Sequence, residues 1–146
     1  MDLFKAIDIA SSGMAAQRAR LNVISMNLAN ANTTRTGQGG PYRRKTVVFE
    51  SMPMARSFHE HLLHSTAKPQ VYGVRVLGVA PVKGPFKKIY DPSHPDADEN
   101  GYVSLPNVNL VQEMASMLNA NRGYEANAAA IKTAKEMALK ALELGR

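Results

Sequence analysis

Residues 107–146 read NVNLVQEMASMLNANRGYEANAAAIKTAKEMALKALELGR, a stretch without proline. Its apolar residues recur at alternating intervals of three and four, which places them along one stripe of a helix. Asn109 can cap the first turn together with Gln112, and the charge of Glu113 suits the positive end of the helix dipole. Gly145 can end the helix, because glycine readily adopts the left-handed conformation past a helix end. The stretch therefore predicts one long helix.

The stripe has two lines of residues. The first line consists of Leu110, Met117, Tyr124, Ile131 and Ala138. The second line follows it by four residues and consists of Met114, Asn121, Ala128, Lys135 and Leu142. A seam of this kind is typical of a helix that packs against another helix.

The start of the chain carries a matching seam. One line, at intervals of seven, consists of Ile7, Met14, Leu21 and Leu28. The companion line consists of Leu3, Ala10, Gln17, Ile24 and Ala31, of which only Gln17 is polar. We expect residues 1–31 and 107–146 to be helical arms that pair as a coiled coil.

Further apolar residues flank both seams, namely Phe4, Val23, Val111, Leu118, Ala129 and Leu139. A two-helix hairpin buries one stripe per helix, so these flanks would stay exposed in a monomer. This pattern predicts assembly through the arms. The predicted subunit interface comprises Leu3, Ile7, Met14, Leu21, Ile24, Leu28, Leu110, Met114, Met117, Tyr124, Ile131 and Leu142.

Residues 32–106 have a different character, since they hold all 8 prolines and most of the 10 glycines. Strand-like runs occur at residues 45–50, 71–82, 86–90 and 102–105. The segment is therefore expected to be a small β-rich insert between two helical arms. The predicted fold class is mainly α with a small β insert, or α+β.

Composition restricts the possible functions. The length of 146 residues suits one domain, and the absence of cysteine excludes disulfides and thiolate sites. Residues 1–12 hold too short an apolar run for a cleaved secretory signal, and no run is long enough to span a membrane. We expect any export to use another route.

The net charge of +6 raises the alternative of a nucleic-acid-binding protein. Basic residues cluster at 43–45 and at Lys83, Lys87 and Lys88. These clusters lack the interleaved aromatic residues of a single-strand binder, and a diffuse basic excess specifies little. A solvated or subunit-contact role is favoured.

A second alternative is a metal-binding protein. His59, Glu60, His61 and His64 resemble a zinc motif, but residue 63 is leucine where a second histidine four residues after His59 is required. Solvated histidines on a loop are favoured.

A calcium loop is suggested by Asp96, Asp98, Asn100 and Gly101, but its twelfth position is Asn107 in place of glutamate. A tight turn in which acidic side chains accept backbone amides is favoured. We find no catalytic constellation and predict no cofactor.

Residues 25–34, SMNLANANTT, resemble the N-terminal signature of bacterial flagellar axial proteins, which are the rod, hook and hook-associated subunits. Within this group, residues 40–45, 90–98, 101–108, 124–127 and 144–146 resemble the proximal-rod subunits. The motif residues are Asn27, Leu28, Asn30, Asn32, Thr33, Gly40, Pro41, Tyr42, Arg43, Pro95, Asp96, Asp98, Gly101, Tyr102, Pro106 and Asn107.

The resemblance implies a structural subunit and no enzyme activity. It implies that the terminal helices line a hollow rod that crosses the periplasm and transmits motor torque, as motility requires. It further implies export through the flagellar type III apparatus without a cleaved signal peptide. The implied partners are copies of the same subunit, rod subunits of the FlgB and FlgF types and the basal-body adaptor FliE.

Overall fold

A computed structural model describes residues 3–54 and 71–144 of the chain. The described elements are two long helices and four strands. Their order along the chain is α1 (Leu3–Ala29), β1 (Lys45–Pro53), β2 (Tyr72–Pro81), β3 (Lys87–Tyr90), β4 (Tyr102–Leu105) and α2 (Leu110–Leu144). The strands form two separate two-stranded sheets, β1 with β2 and β3 with β4. The predicted α+β class is confirmed at this level.

The ends of the helices follow from local side-chain chemistry. At the start of α2, Asn109 Oδ1 accepts the backbone N–H of Val111 at 3.1 Å and of Gln112 at 3.3 Å. The predicted cap is confirmed. At the end of α1, the Asn30 side chain donates to the backbone carbonyl of Met26, four residues earlier, at 2.9 Å. The predicted stop at Gly145 lies outside the described residues.

Observed strands differ modestly from the predicted ones. β1 continues three residues beyond the predicted end at Glu50, to Pro53, whereas β4 has the predicted bounds. At one end of the first sheet, Met54 N–H donates to Val71 O, and at the other Val82 N–H donates to Arg44 O, as antiparallel strands require. In the described part of the chain, neither helix is apolar enough to cross a bilayer.

The chain divides into two compact units, and each contains part of both helices. The first unit takes its described residues from Met1–Ala19, Phe49–Leu77 and Asn121–Arg146, and the second consists of Arg20–Val48 and Gly78–Ala120.

In the first unit, α1 and α2 approach closely at glycines. A Cβ atom on Gly13 would lie 2.9 Å from Nδ2 of Asn127, and one on Gly123 would lie 3.1 Å from Nε2 of Gln17. As the residue number rises along α1, the number of the facing residue in α2 falls, so the two helices run antiparallel here. The same unit fastens β2 to α1, because Ser12 Oγ accepts the N–H of Val74 at 3.2 Å.

In the second unit, β3 and β4 form an antiparallel ladder from Lys87 opposite Leu105 to Tyr90 opposite Tyr102. The rings of the last pair meet edge to face, with centroids 5.3 Å apart. Asp98 Oδ1 accepts the N–H groups of Asn100 and Tyr102 at 3.0 and 2.8 Å. The tight turn predicted in preference to a calcium loop is therefore confirmed.

The buried face of α2 lies one residue away from the predicted seam. Its first line is largely as predicted, with Met117, Tyr124, Ile131 and Ala138 half-buried, but Leu110 is exposed. The companion line within the chain consists of Glu113, Ala120, Asn127 and Ala134. The predicted companions Met114, Asn121, Ala128, Lys135 and Leu142 are all exposed.

The cause of this difference is residue size. The predicted companion line followed the heptad spacing alone and included the polar residues Asn121 and Lys135, whereas the fold buries small residues such as Ala120 and Ala134, which are 1% and 4% exposed. Small residues let the two backbones approach closely. Val23, predicted to be an exposed flank, is likewise buried at 4% exposure.

Candidate functional site

One amide in the second unit joins four parts of the chain. Asn27 Nδ2 donates to Lys45 O at 2.8 Å and to Glu113 Oε2 at 3.1 Å. Its Oδ1 accepts the Lys45 N–H at 2.9 Å and the Tyr42 hydroxyl at 3.0 Å. All the hydrogen-bonding capacity of this side chain is used, and Asn27 is only 1% exposed. It therefore binds β1 as a neighbouring strand would, through both polar groups of one residue.

The second buried polar residue is Glu113, in the first turn of α2. Its other oxygen, Oε1, accepts Arg44 Nε at 2.7 Å and Nη2 at 2.6 Å. The Glu113 side chain is 1% exposed, whereas that of Arg44 is 30% exposed. The carboxylate is thus desolvated but is paired and hydrogen-bonded on both oxygens, which offsets the cost of burial. We call Asn27, Tyr42, Arg44, Lys45 and Glu113 the polar anchor.

Tyr42 closes the polar anchor from the loop between α1 and β1. Burial raises the pKa of its hydroxyl above the ordinary value, and the negative charge of Glu113 raises it further. The N–H of Tyr42 also donates to Thr33 O at 3.1 Å, which holds the loop against the end of α1. The neutral phenol donates to Asn27, so the protonated form is the one that the fold uses.

The basic residues at 43–45 do not form a uniform cationic surface. Arg43 lies over the Phe86 ring, 4.6 Å from its centroid, and Lys45 Nζ lies 5.9 Å from the centroid of Tyr42. Arg44 is ion-paired with Glu113. These cations therefore contact other residues of the same chain, whereas the sequence favoured solvated or subunit-contact charge.

Other motif residues meet beside the loop that follows α1. Thr34 Oγ1 donates to Asp96 Oδ2 at 2.7 Å, which joins that loop to the β3–β4 connection. Gly39 and Gly40 have positive φ angles of 83° and 74°, so the loop reverses where only glycine is unstrained. The groove between these segments is lined by the motif residues Gly40, Pro41, Pro95, Asp96, Asp98 and Tyr102.

The predicted interface residues fall into two sets. On α1, Ile24 is buried, and Leu3, Ile7, Met14, Leu21 and Leu28 are half-buried. On α2, Met117, Tyr124 and Ile131 are half-buried, whereas Leu110, Met114 and Leu142 are exposed. The buried and half-buried residues of both helices are covered within the chain, at least in part. The exposed residues Leu110, Met114 and Leu142 remain available to other molecules.

Four exposed apolar residues form a continuous row on the first turns of α2. Leu110, Val111, Met114 and Leu118 are 51%, 77%, 62% and 54% exposed. Their spacing places them within roughly one third of the helix circumference. We call these four residues the outer row.

In the described ranges 3–54 and 71–144, no group of three or more His, Cys, Asp or Glu could hold a metal ion. The segment with His59, Glu60, His61 and His64 lies outside them.

The sequence patterns did not reveal the ion pair of the polar anchor, Arg44 with Glu113. Arg44 was assigned to a basic cluster and Glu113 to the helix dipole. One signal was present: Glu113 stands seven residues before Ala120 and twenty-one before Ala134, on a line of small residues that continues through α2. A carboxylate on such a line predicts a buried partner.

Comparison with known proteins assigns the class first. A family model described as "Flagella basal body rod protein" matches residues 7–35, and one described as "Flagellar basal body rod FlgEFG protein C-terminal" matches residues 99–144. The matches thus include most of α1 and all of α2, the two elements joined at the polar anchor.

Relatives of full length identify the family. The chain is 44% identical to the flagellar basal-body rod protein FlgC of Borreliella burgdorferi, over 99% of this chain and 98% of that protein. It is 41% identical to FlgC of Salmonella typhimurium and 38% identical to FlgC of Bacillus subtilis, with full coverage of both chains in each case. This chain belongs to the FlgC family of flagellar basal-body rod proteins. It is a structural subunit of the rod and not an enzyme, and the nucleic-acid and metal alternatives are not supported.

Asn27→Asp tests the polar anchor with almost no change in shape. The substitution removes both donors of the amide and places a second carboxylate beside Glu113, so we expect the free energy of unfolding to fall by about 3 kcal/mol or more. Urea unfolding followed by circular dichroism measures this. Asn22→Asp, at an exposed position of α1, is the matched control and should change stability by less than about 0.5 kcal/mol. Equal effects of the two substitutions would contradict the assigned role.

Tyr42 should make stability depend on alkaline pH. Its pKa is raised in the folded chain above the unfolded value near 10, so the folded state holds the proton more tightly. The contribution is complete below about pH 10 and is lost as the pH rises through the folded-state pKa. Urea unfolding at pH 8 and pH 11 should show a smaller loss of stability in Tyr42→Phe than in the unsubstituted chain. A loss of the same size in both would exclude Tyr42 as the cause.

Proposed function

We propose that this subunit builds the proximal rod through its two helices, which pair within the chain as an antiparallel coiled coil and contact other subunits through the outer row. The observation that carries the proposal is the division of α2 into two faces. Glu113, Ala120 and Ala134 are buried, while the larger side chains of the outer row are exposed. An exposed apolar row on a helix is costly unless another surface covers it.

The coiled-coil component of the proposal is supported by contacts in each unit. In the first unit, Asn127 lies against Gly13 and Gln17 against Gly123. In the second, Asn27 bonds Glu113. The buried line of α2 has the seven-residue period of a coiled coil.

The assembled rod would be hollow, with the helices inside and the strands outside, and would transmit motor torque across the periplasm. Open helical order results when one surface of a subunit meets a different surface of the next. The outer row would supply one of these two surfaces. We propose neighbouring subunits of the FlgB and FlgF types and the adaptor FliE as further partners.

Export is the second component of the proposal. We infer that the flagellar type III apparatus exports the chain unfolded and without cleavage. Both helices owe much of their order to packing, since an isolated arm with polar seam residues such as Gln17 is a marginal helix. Mass spectrometry of rod protein from isolated basal bodies tests this: an N-terminal peptide beginning at Met1 or Asp2 supports it, whereas a later start contradicts it.

Met114→Asp tests the outer row. The side chain is 62% exposed, so a carboxylate should change the stability of the free subunit by less than about 1 kcal/mol. If this position is buried against a neighbouring subunit, the same carboxylate would cost on the order of several kcal/mol per contact. We therefore expect a folded, exported subunit that forms no rod. The measurement is motility and recovery of basal bodies in a strain without the native copy.

The matched control is Asn119→Asp, which adds the same charge to an exposed polar position of α2 outside the outer row. It should leave swimming intact. Normal rods in the Met114→Asp strain would mean that the outer row does not lie in an interface.

A further inference from the structure

We infer that the polar anchor is a latch that makes the attachment of β1 and the docking of the first turns of α2 a single cooperative event. Its members come from distant parts of the chain. Asn27 and Glu113 are 86 residues apart, and Arg44 and Glu113 are 69 apart. All of them belong to the second unit.

Each half-formed state would leave polar groups without partners. If β1 were attached without α2, the Asn27 Nδ2 proton that faces Glu113 would lose its acceptor and Arg44 would lose its carboxylate. If α2 were docked without β1, Glu113 would be desolvated without the Arg44 charge, which precedes β1 directly. A buried polar group that lacks its partner costs more than the intact bond contributes, so both half-formed states are disfavoured.

The geometry concentrates this coupling on one side chain. Asn27 contacts β1 through two hydrogen bonds to Lys45 and α2 through one to Glu113. A rigid planar amide cannot rotate to improve one set without breaking the other. Tyr42 fixes the rotation further, because its hydroxyl donates to the same Oδ1 that accepts the Lys45 N–H.

The consequence is a device for assembly. The β1 end of the first sheet is held in place only when the start of α2, which bears the outer row, is also in place. A subunit would therefore present β1 and its outer row together or not at all. This inference goes beyond the proposed role in the rod, because it concerns the folding of the free chain.

Amide hydrogen exchange on the full-length free subunit tests the latch. The diagnostic variant is Tyr42→Phe, which keeps the ring and removes one hydroxyl that bonds Asn27 but has no hydrogen bond to α2. A latch requires amides 46–48 of β1 and amides 114–120 of α2 to exchange faster by the same factor. We expect about fivefold for both, the factor that corresponds to one hydrogen bond.

Two further variants define the outcome. Asn27→Ala should accelerate both sets by a larger shared factor; if it does not fold, Tyr42→Phe alone decides. Val103→Ala is the matched control, since it truncates a buried side chain, 3% exposed, in β4 of the same unit and leaves every residue of the polar anchor unchanged. It should accelerate exchange in β3 and β4 more than in amides 46–48.

Acceleration of β1 in Tyr42→Phe without any change in amides 114–120 would overturn the inference. So would a Val103→Ala pattern identical to that of Tyr42→Phe, because the two regions would then open only through global unfolding of the unit.

Discussion

The second unit depends on the hydrogen bonds of the Asn27 side-chain amide. Four hydrogen bonds converge on it from the loop after α1, from β1 and from α2. No other residue type of this size offers two donors and two acceptor sites in one plane. Aspartate has the shape without the donors, and alanine would leave Lys45 and Glu113 without partners in a buried place. This satisfaction of every polar group explains how α1 can carry a buried asparagine and α2 a buried glutamate where the two side chains meet.

The polar anchor also explains why the larger apolar residues of α2 can face outward. The most buried positions of α2 hold small residues such as Ala120 or the hydrogen-bonded Glu113, so the side chains of the outer row are not needed there. In the first unit, small residues likewise allow a close approach, at Gly13 and Gly123, but the polar groups are hydrogen-bonded less completely. There, Gln17 Oε1 is buried and has no hydrogen-bond partner among the described residues. We expect this part of the helix pair to open more readily in the free subunit than the part that contains the polar anchor.

Much of the fold follows from local patterns in the sequence. Heptad spacing predicted both helices, Asn109 predicted the start of α2, and Asp98 with Gly101 predicted the turn before β4. The line Met117, Tyr124, Ile131 was placed correctly on the inner side of α2. The heptad spacing predicts a companion line that begins one residue after the buried line of the structure. Periodicity alone does not take into account how closely two backbones approach.

The position of Glu113 indicates a buried partner, but the identity of the partners in the polar anchor could not be predicted, since its bonds join residues separated by as many as 86 positions. Nothing local distinguishes Arg44 from Arg43, although one pairs with Glu113 and the other lies over Phe86. The resemblance to flagellar axial proteins marked Asn27 and Tyr42 as motif residues but gave no physical role for them. The structure supplies that role: these residues fasten the β segment to both helices.

The central claim is that α2 has an inner face held within the subunit and an outer row that other subunits cover. A cryo-EM map of isolated basal bodies, at a resolution that shows side chains, tests both parts at once. The account predicts that Leu110, Val111, Met114 and Leu118 are covered by helices of neighbouring subunits, while Asn27 and Glu113 bond within one chain. An outer row that faces an open channel or solvent, or a Glu113 paired with a residue of another subunit, would contradict it.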